Sequence, residues 1–210
     1  DQGVVFFGGL ANTLYSQYMP KKLSIKLQKL PDFDVLSENA NLSATIVKER
    51  LEEANHKKVS IVFHEKIGEV VSEHYEVKVG SDTLCFIYKP LACHSYNEIT
   101  INGRKVKVAT IDTMLSFYLA FLYTDRKYYD KERILCMSQY LFIVQQKNRL
   151  AQKGLLQRFS LNCYGKQSTL ESMRSEKTDK FMELKDKRNT PEYDNWFLRY
   201  VPREQGKGVG

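Results

Sequence analysis

The run Val4-Val5-Phe6-Phe7 ending in Gly8-Gly9 constrains this chain more than any other stretch. Four consecutive large apolar residues need cover on both faces, which a buried strand provides. Paired glycines directly after the strand allow a sharp turn without side-chain bulk. Leu10, Ala11, Leu14, Tyr15 and Tyr18 then fit one face of a short helix, which Pro20 ends. A strand that delivers glycines to a helix N-terminus exposes backbone N–H groups able to hold phosphate oxygens, so Gly8 and Gly9 are candidate nucleotide-binding residues.

The second informative stretch is Leu30-Pro31-Asp32-Phe33-Asp34-Val35-Leu36-Ser37. At strand period Asp32 and Asp34 leave one face while Phe33 and Val35 leave the other. Two aligned carboxylates repel unless a cation lies between them. Mg²⁺ or Mn²⁺ suits such a pair, because Mg²⁺ favours one or two carboxylates together with substrate phosphate oxygens. Asp32 and Asp34 are therefore candidate metal ligands and catalytic residues for phosphoryl transfer. Between the two stretches, Lys21, Lys22, Lys26 and Lys29 surround Leu23, Ile25 and Leu27, which alternate as in a strand.

Further along, Ser43 is the expected N-cap of a helix carrying Ile46, Val47, Leu51 and Ala54 on one face. Three strand-like runs follow at 59–63, 74–79 and 83–88, with Gly68 and Gly80-Ser81-Asp82 as turn signals. Glu76, flanked by Tyr75 and Val77, is placed as a third metal-ligating and catalytic acid would be, and equally as an exposed strand residue paired with a neighbouring lysine. Asn102-Gly103 marks a hairpin between 98–101 and 105–108. Thr110 caps an apolar helix to Leu122, and a second helix runs from Lys131 to Gln146, giving an α-hairpin packed on the sheet. Between them, Asp125 to Asp130 reads as a solvated corner or as a segment facing a nucleotide. His56, His64 and His74 lack metal-ligand spacing and read as structural.

The elements give an α+β fold, a mixed sheet flanked by helices and followed by an α-hairpin and a basic C-terminal extension. The expected units are 1–109 for the sheet-bearing core, 110–150 for the hairpin and 151–210 for the extension. Charge supports the last of these: Lys147 to Gly210 hold 14 basic and 8 acidic residues, which is most of the net charge of +7. Phe159, Tyr164 and Phe181 are interspersed there, so cations to neutralise phosphates accompany rings to stack on unpaired bases. Trp196-Phe197-Leu198 reads as an anchor onto the folded body. Cys85, Cys93, Cys136 and Cys163 have no CxxC spacing and read as reduced thiols, mostly buried. No run is long enough for a membrane span and no signal peptide is present, so an intracellular, cytoplasmic location is expected. The immediate entry into a strand after Asp1 reads as a portion of a longer protein.

Gly8-Gly9, Asp32-Phe33-Asp34-Val35 and Val106-Lys107-Val108-Ala109-Thr110-Ile111-Asp112, in that order, resemble the nucleotidyltransferase superfamily of DNA polymerase β type. Cys93-His94-Ser95-Tyr96-Asn97, Ala109-Thr110-Ile111-Asp112-Thr113-Met114 and Asn162-Cys163-Tyr164-Gly165 narrow the likeness to the catalytic poly(A) polymerases of large cytoplasmic DNA viruses. The resemblance implies that Gly8 and Gly9 contact a nucleoside triphosphate and that Asp32 and Asp34 bind two divalent ions, Mg²⁺ or Mn²⁺. It also implies template-independent transfer of AMP from ATP to a single-stranded RNA 3′ end, in the host cytoplasm or the virion. A homodimer or a processivity partner joins ATP and RNA among the expected partners. Two departures accompany it: 22 residues separate Gly9 from Asp32, and Thr83-Leu84-Cys85-Phe86, where a third acid is expected, has no carboxylate. Glu76 is the substitute. Single nucleotide addition to tRNA or protein, and an RNA-binding module without catalysis, are the competing expectations.

Overall fold

A mixed eight-stranded sheet organises the chain in a computed structural model that describes residues 3–19 and 33–197. The expected strand through Leu23, Ile25 and Leu27, the lysines around it, Asp32 and the stretch beyond Phe197 lie outside the described residues. In chain order the elements are β1 (Val5–Phe7), α1 (Gly8–Tyr15), β2 (Phe33–Leu36), α2 (Ala40–Glu53), β3 (Val59–His64), β4 (His74–Val79), β5 (Asp82–Tyr88), β6 (His94–Ile101) and β7 (Arg104–Ala109). Then come α3 (Ile111–Thr124), α4 (Lys131–Lys147), β8 (Cys163–Tyr164), α5 (Leu170–Leu184) and α6 (Pro191–Trp196). Across the sheet the strands run β3-β4-β5-β2-β1-β7-β6-β8. β1 pairs antiparallel with β2 and parallel with β7, and β2 is parallel to β5. The outer pairs are antiparallel, with β6 and β7 joined through Asn102 and Gly103, both at positive φ. That is the twist-compatible turn of a tight hairpin.

Alternation along the central strands divides the apolar residues between two cores. On one face Val5, Phe7, Phe86, Tyr88 and Val108 pack with Ala11 and Tyr15 of α1, Met114, Phe117 and Phe121 of α3, and Leu141 and Val144 of α4. On the other, Val35, Val77, Cys85 and Ile87 meet Ala40 and Ala44 of α2. The helical hairpin thus shares a continuous core with the sheet.

Caps set the helix boundaries. Thr110, Asp130, Thr169 and Thr190 each accept a backbone N–H through the side chain at the start of α3, α4, α5 and α6. At α2 the cap is Asn39, which accepts from the Leu42 amide at 3.3 Å. Ser43, expected in that role, lies one turn further on and bonds the Ser37 hydroxyl at 2.7 Å. An Asx cap four residues earlier thus starts the helix, and Ser43 serves to tie α2 to the end of β2.

The cysteine expectation is also corrected. Cys93 and Cys163 form a disulfide, while Cys85 is buried and Cys136 is exposed. Pairing of β6 with β8, His94 against Tyr164 and Ser95 against Cys163, brings the two α-carbons to 5.3 Å, within bridging range. A separation of 70 residues conceals that neighbourhood from the sequence. Among the described residues no helix is long and apolar enough to cross a membrane.

Candidate functional site

Gly8 begins α1 with φ +67° and lies directly against Asp34. A Cβ built on Gly8 would come within 1.7 Å of an Asp34 carboxylate oxygen and 2.5 Å of its Cγ, so glycine is required both by backbone conformation and by space. The approach follows from the register, which sets Phe7 opposite Asp34. No side chain caps the α1 N-terminus, so its first backbone N–H groups are presented next to the sheet carboxylate. The glycine pair and Asp34 are therefore brought together.

Across the sheet, Asp34 is level with Phe86 on β5, and Phe86 with Glu76 on β4. Level residues on adjacent strands point to one face, so the row reads carboxylate, ring, carboxylate. Glu76 is buried and engaged: one carboxylate oxygen bonds His64 Nε2 at 3.1 Å, and the other accepts from the Thr83 hydroxyl and lies 3.4 Å from Lys78 Nζ. Burial pushes its carboxyl up, but the bonds from Thr83, His64 and Lys78 outweigh burial and hold it below its ordinary value. The structure places Glu76 in a hydrogen-bonded ion-pair cluster, with Phe86 between it and Asp34.

Phe86 belongs to an aromatic layer. His64 stacks on His74 at 4.8 Å and His74 on Tyr88 at 4.5 Å, while Phe86 lies 6.1 Å from the Tyr128 ring. Tyr128 and Tyr129 come from the corner between α3 and α4, and Tyr129 stacks on Phe121 at 4.4 Å. Part of that corner thus turns inward, onto the sheet face that carries Asp34. Asp34, Phe86, Tyr88, Tyr118, Tyr129 and Arg133 line a pocket between sheet and hairpin. Burial, reinforced by the Asp34 charge, pushes the hydroxyls of Tyr88 and Tyr118 well up, so they remain protonated donors. Of the three histidines read as structural, His64 and His74 lie in the aromatic layer while His56 is exposed; His74 is fully buried, and burial lowers its imidazole to about 4.

The described residues supply Asp34 as the carboxylate at the glycine turn. Among them no cluster of three or more His, Cys, Asp or Glu side chains could hold a metal ion. A lone carboxylate is the least that Mg²⁺ takes from a protein, and only where substrate phosphate oxygens supply other ligands. It does not by itself assemble a three-carboxylate centre.

Asn12 and Tyr118 are site residues that the sequence did not single out, whereas the corner with Tyr128 and Tyr129 was read either as solvated or as facing a nucleotide. Asn12 carried a signal, because at four residues from Gly8 and three from Tyr15 a polar side chain falls on the buried side of a short helix. Tyr118 carried none, since in sequence it is one more ring on an apolar helix.

The glycine turn is thus packed on a carboxylate of a mixed sheet that has helices on both faces. No protein-family model and no curated protein sequence matches the chain. Among solved structures it is similar to the Megavirus polyadenylate synthase, with a TM-score of 0.61 and 12% sequence identity over 87% of this chain. The chain spans 39% of the length of that protein.

Proposed function

We propose that the chain carries a poly(A) polymerase-like nucleotidyltransferase site that adds AMP from ATP to RNA 3′ ends. The observation that carries this reading is the left-handed turn at Gly8 packed directly on the Asp34 carboxylate. In that arrangement Gly8, Gly9 and the start of α1 hold triphosphate oxygens, and the pocket beside Asp34 offers rings and the Arg133 guanidinium. Asp34, with Asp32 two residues before it, would hold Mg²⁺ or Mn²⁺, which neutralises phosphate charge and lowers the pKa of an attacking hydroxyl.

RNA as the acceptor is supported by the stretch from Lys147 to Leu170, which has Lys147, Arg149, Lys153, Arg158 and Lys166 and no carboxylate. Buried Leu155 and Leu156 anchor this stretch, and Asn97 Nδ2 donates to the carbonyls of Leu155 and Gln157. Phe159 is 81% exposed, so the anchored segment displays a ring among cations.

A second reading, RNA or nucleotide binding without transfer, is favoured by Phe86. A second ion requires a third carboxylate near Asp34, and Glu76 is bound to His64, Lys78 and Thr83 on the far side of that ring.

Incubation with end-labelled RNA, each NTP in turn and Mg²⁺ or Mn²⁺ tests both. Extension with ATP that disappears in Asp34→Ala supports transfer. Single-nucleotide products point to a single-addition enzyme. RNA binding without extension in either metal supports the second reading.

A further inference from the structure

Asn12 is 1% exposed, yet its amide is not an isolated polar group in an apolar core. Nδ2 donates to the Gly8 carbonyl at 3.0 Å and also to the Tyr118 hydroxyl. Oδ1 has no partner among the described residues. Tyr118 stands on α3 and lines the pocket beside Asp34, and its hydroxyl in turn reaches the Met137 sulfur of α4 at 3.8 Å. A continuous polar path therefore runs from the glycine turn through Asn12 and Tyr118 to both helices of the hairpin.

A short helix that only had to fill this space would be served better by an apolar side chain, because a buried amide with an unpaired oxygen loses hydration without compensation. What the amide adds is orientation. The Gly8 carbonyl and the Gly9 N–H share one peptide plane, and helical φ and ψ relate the next N–H groups to it, so holding that carbonyl orients the Gly9 N–H and steadies those that follow. The other end of the path is held by a ring packed between sheet and hairpin. Displacement of the hairpin thus moves the turn, and displacement of the turn moves the hairpin.

We propose that Asn12 and Tyr118 are positioning residues, a strut that aims the backbone N–H groups of the glycine turn and couples their grip on the triphosphate to the seating of the α3–α4 hairpin. The nucleotide part rests on the function proposed above; the strut itself does not. Neither side chain needs to touch the reacting atoms.

Tyr118→Phe keeps the ring and removes the hydroxyl, and Asn12→Ala removes the amide. Amide hydrogen exchange is followed in both variants over the hydrogen-bonded amides of α1, Asn12 to Tyr15, whose first acceptor is the Gly8 carbonyl, and over α2, which packs on the opposite sheet face. ATP affinity and affinity for a single-stranded oligoadenylate are measured alongside. Exchange of those α1 amides should rise about tenfold in Tyr118→Phe, the equilibrium effect of losing one hydrogen bond, with α2 unchanged. ATP affinity should fall by a similar factor while oligoadenylate affinity holds.

Unchanged exchange of those amides in Tyr118→Phe, or equal acceleration in α1 and α2, overturns the strut. So does a loosened turn with unaltered ATP affinity in a wild-type protein that binds ATP. A wild-type protein that binds no ATP, with the turn still loosened by Tyr118→Phe, removes the nucleotide reading and leaves the strut standing. If Asn12→Ala fails to fold, Tyr118→Phe alone decides.

Discussion

Substitution of Gly8 by alanine isolates the contact on which the site reading rests. Two costs add at this position. A non-glycine residue in the left-handed region loses roughly 1–2 kcal/mol. The new methyl would also meet Asp34 at 1.7, 2.5 and 2.7 Å, at the carboxylate oxygen, Cγ and Cβ in turn, and β2 is held in register against β1. Forcing a side chain into so filled a space typically costs about 1–3 kcal/mol. The sum is about 2–5 kcal/mol, or roughly 5–15 °C in melting temperature for a domain of this size. Gly80→Ala is the internal control, because Gly80 has φ +65° and nothing within 4 Å of a built Cβ, so only the backbone cost applies. Thermal and urea unfolding of both variants should therefore differ by the steric cost alone. Asp34→Ala removes the two nearest offending atoms, so adding it to Gly8→Ala should restore part of the loss as a coupling of about 1 kcal/mol. Equal destabilisation by Gly8→Ala and Gly80→Ala, or strict additivity with Asp34→Ala, would refute the packing of turn on carboxylate.

Three further outcomes follow from other parts of the fold. Phe86→Asp removes a ring from the aromatic layer, lowering stability by about 3–5 kcal/mol, and should raise Mn²⁺ affinity in calorimetric titration by adding a carboxylate level with Asp34; unaltered affinity would contradict the row Asp34–Phe86–Glu76. Because burial holds His74 at about 4 rather than 6.5, the unfolded chain takes up its proton first as pH falls, so stability is full above 6.5 and declines by on the order of 3 kcal/mol toward pH 4. Melting temperature against pH should be flatter over that window in His74→Phe, and parallel curves would exclude His74 as the source. Thiol labelling of the unfolded, unreduced protein should modify Cys85 and Cys136 only, with all four cysteines labelled after reduction. Loss of the 70-residue closure should lower stability by about 4 kcal/mol, and four labels without reductant would exclude the bridge.

The elements were legible where local pattern dictates local structure. Asn102-Gly103 between alternating runs announces its hairpin, and Thr110 before an apolar helix announces its cap, because both depend on backbone preferences of adjacent residues. Val4 to Gly9 likewise gave the strand, the turn and the helix after it, though not the reason for glycine at position 8, which is an atom 26 residues away. What stayed hidden depends on register and on packing across the sheet. The inward turn of Tyr128 and Tyr129 reflects how the hairpin corner sits on the sheet, and Cys93 meets Cys163 only through an edge strand of two residues. For Glu76 the pairing with a neighbouring lysine was legible and is met by Lys78, but its burial and its bonds to His64 and Thr83 on the two adjacent strands were not.

That same register bears on how the site can use metal. Neighbouring strands lie about 4.8 Å apart, so the backbones at Asp34 and Glu76, two strands apart, are separated by roughly 10 Å. Divalent ions of the Mg²⁺ type hold oxygens at about 2.1 Å, which demands that both carboxylates lean into the space between them. Phe86 fills that space, and its ring is packed 6.2 Å from His64 and 6.1 Å from His74 and Tyr128. Recruiting Glu76 would therefore break its bond to His64 and shift a layer that reaches the hairpin corner. The proposed phosphate grip needs nothing of the kind, because Gly8 rests against Asp34 and no N-cap side chain bonds the start of α1. Under the proposed function, nucleotide holding would rest on the backbone of β1 and α1, whereas a two-ion centre would depend on rearranging β4 and β5. If transfer occurs, its demand for metal should exceed that of nucleotide binding, and the difference should vanish in Phe86→Asp.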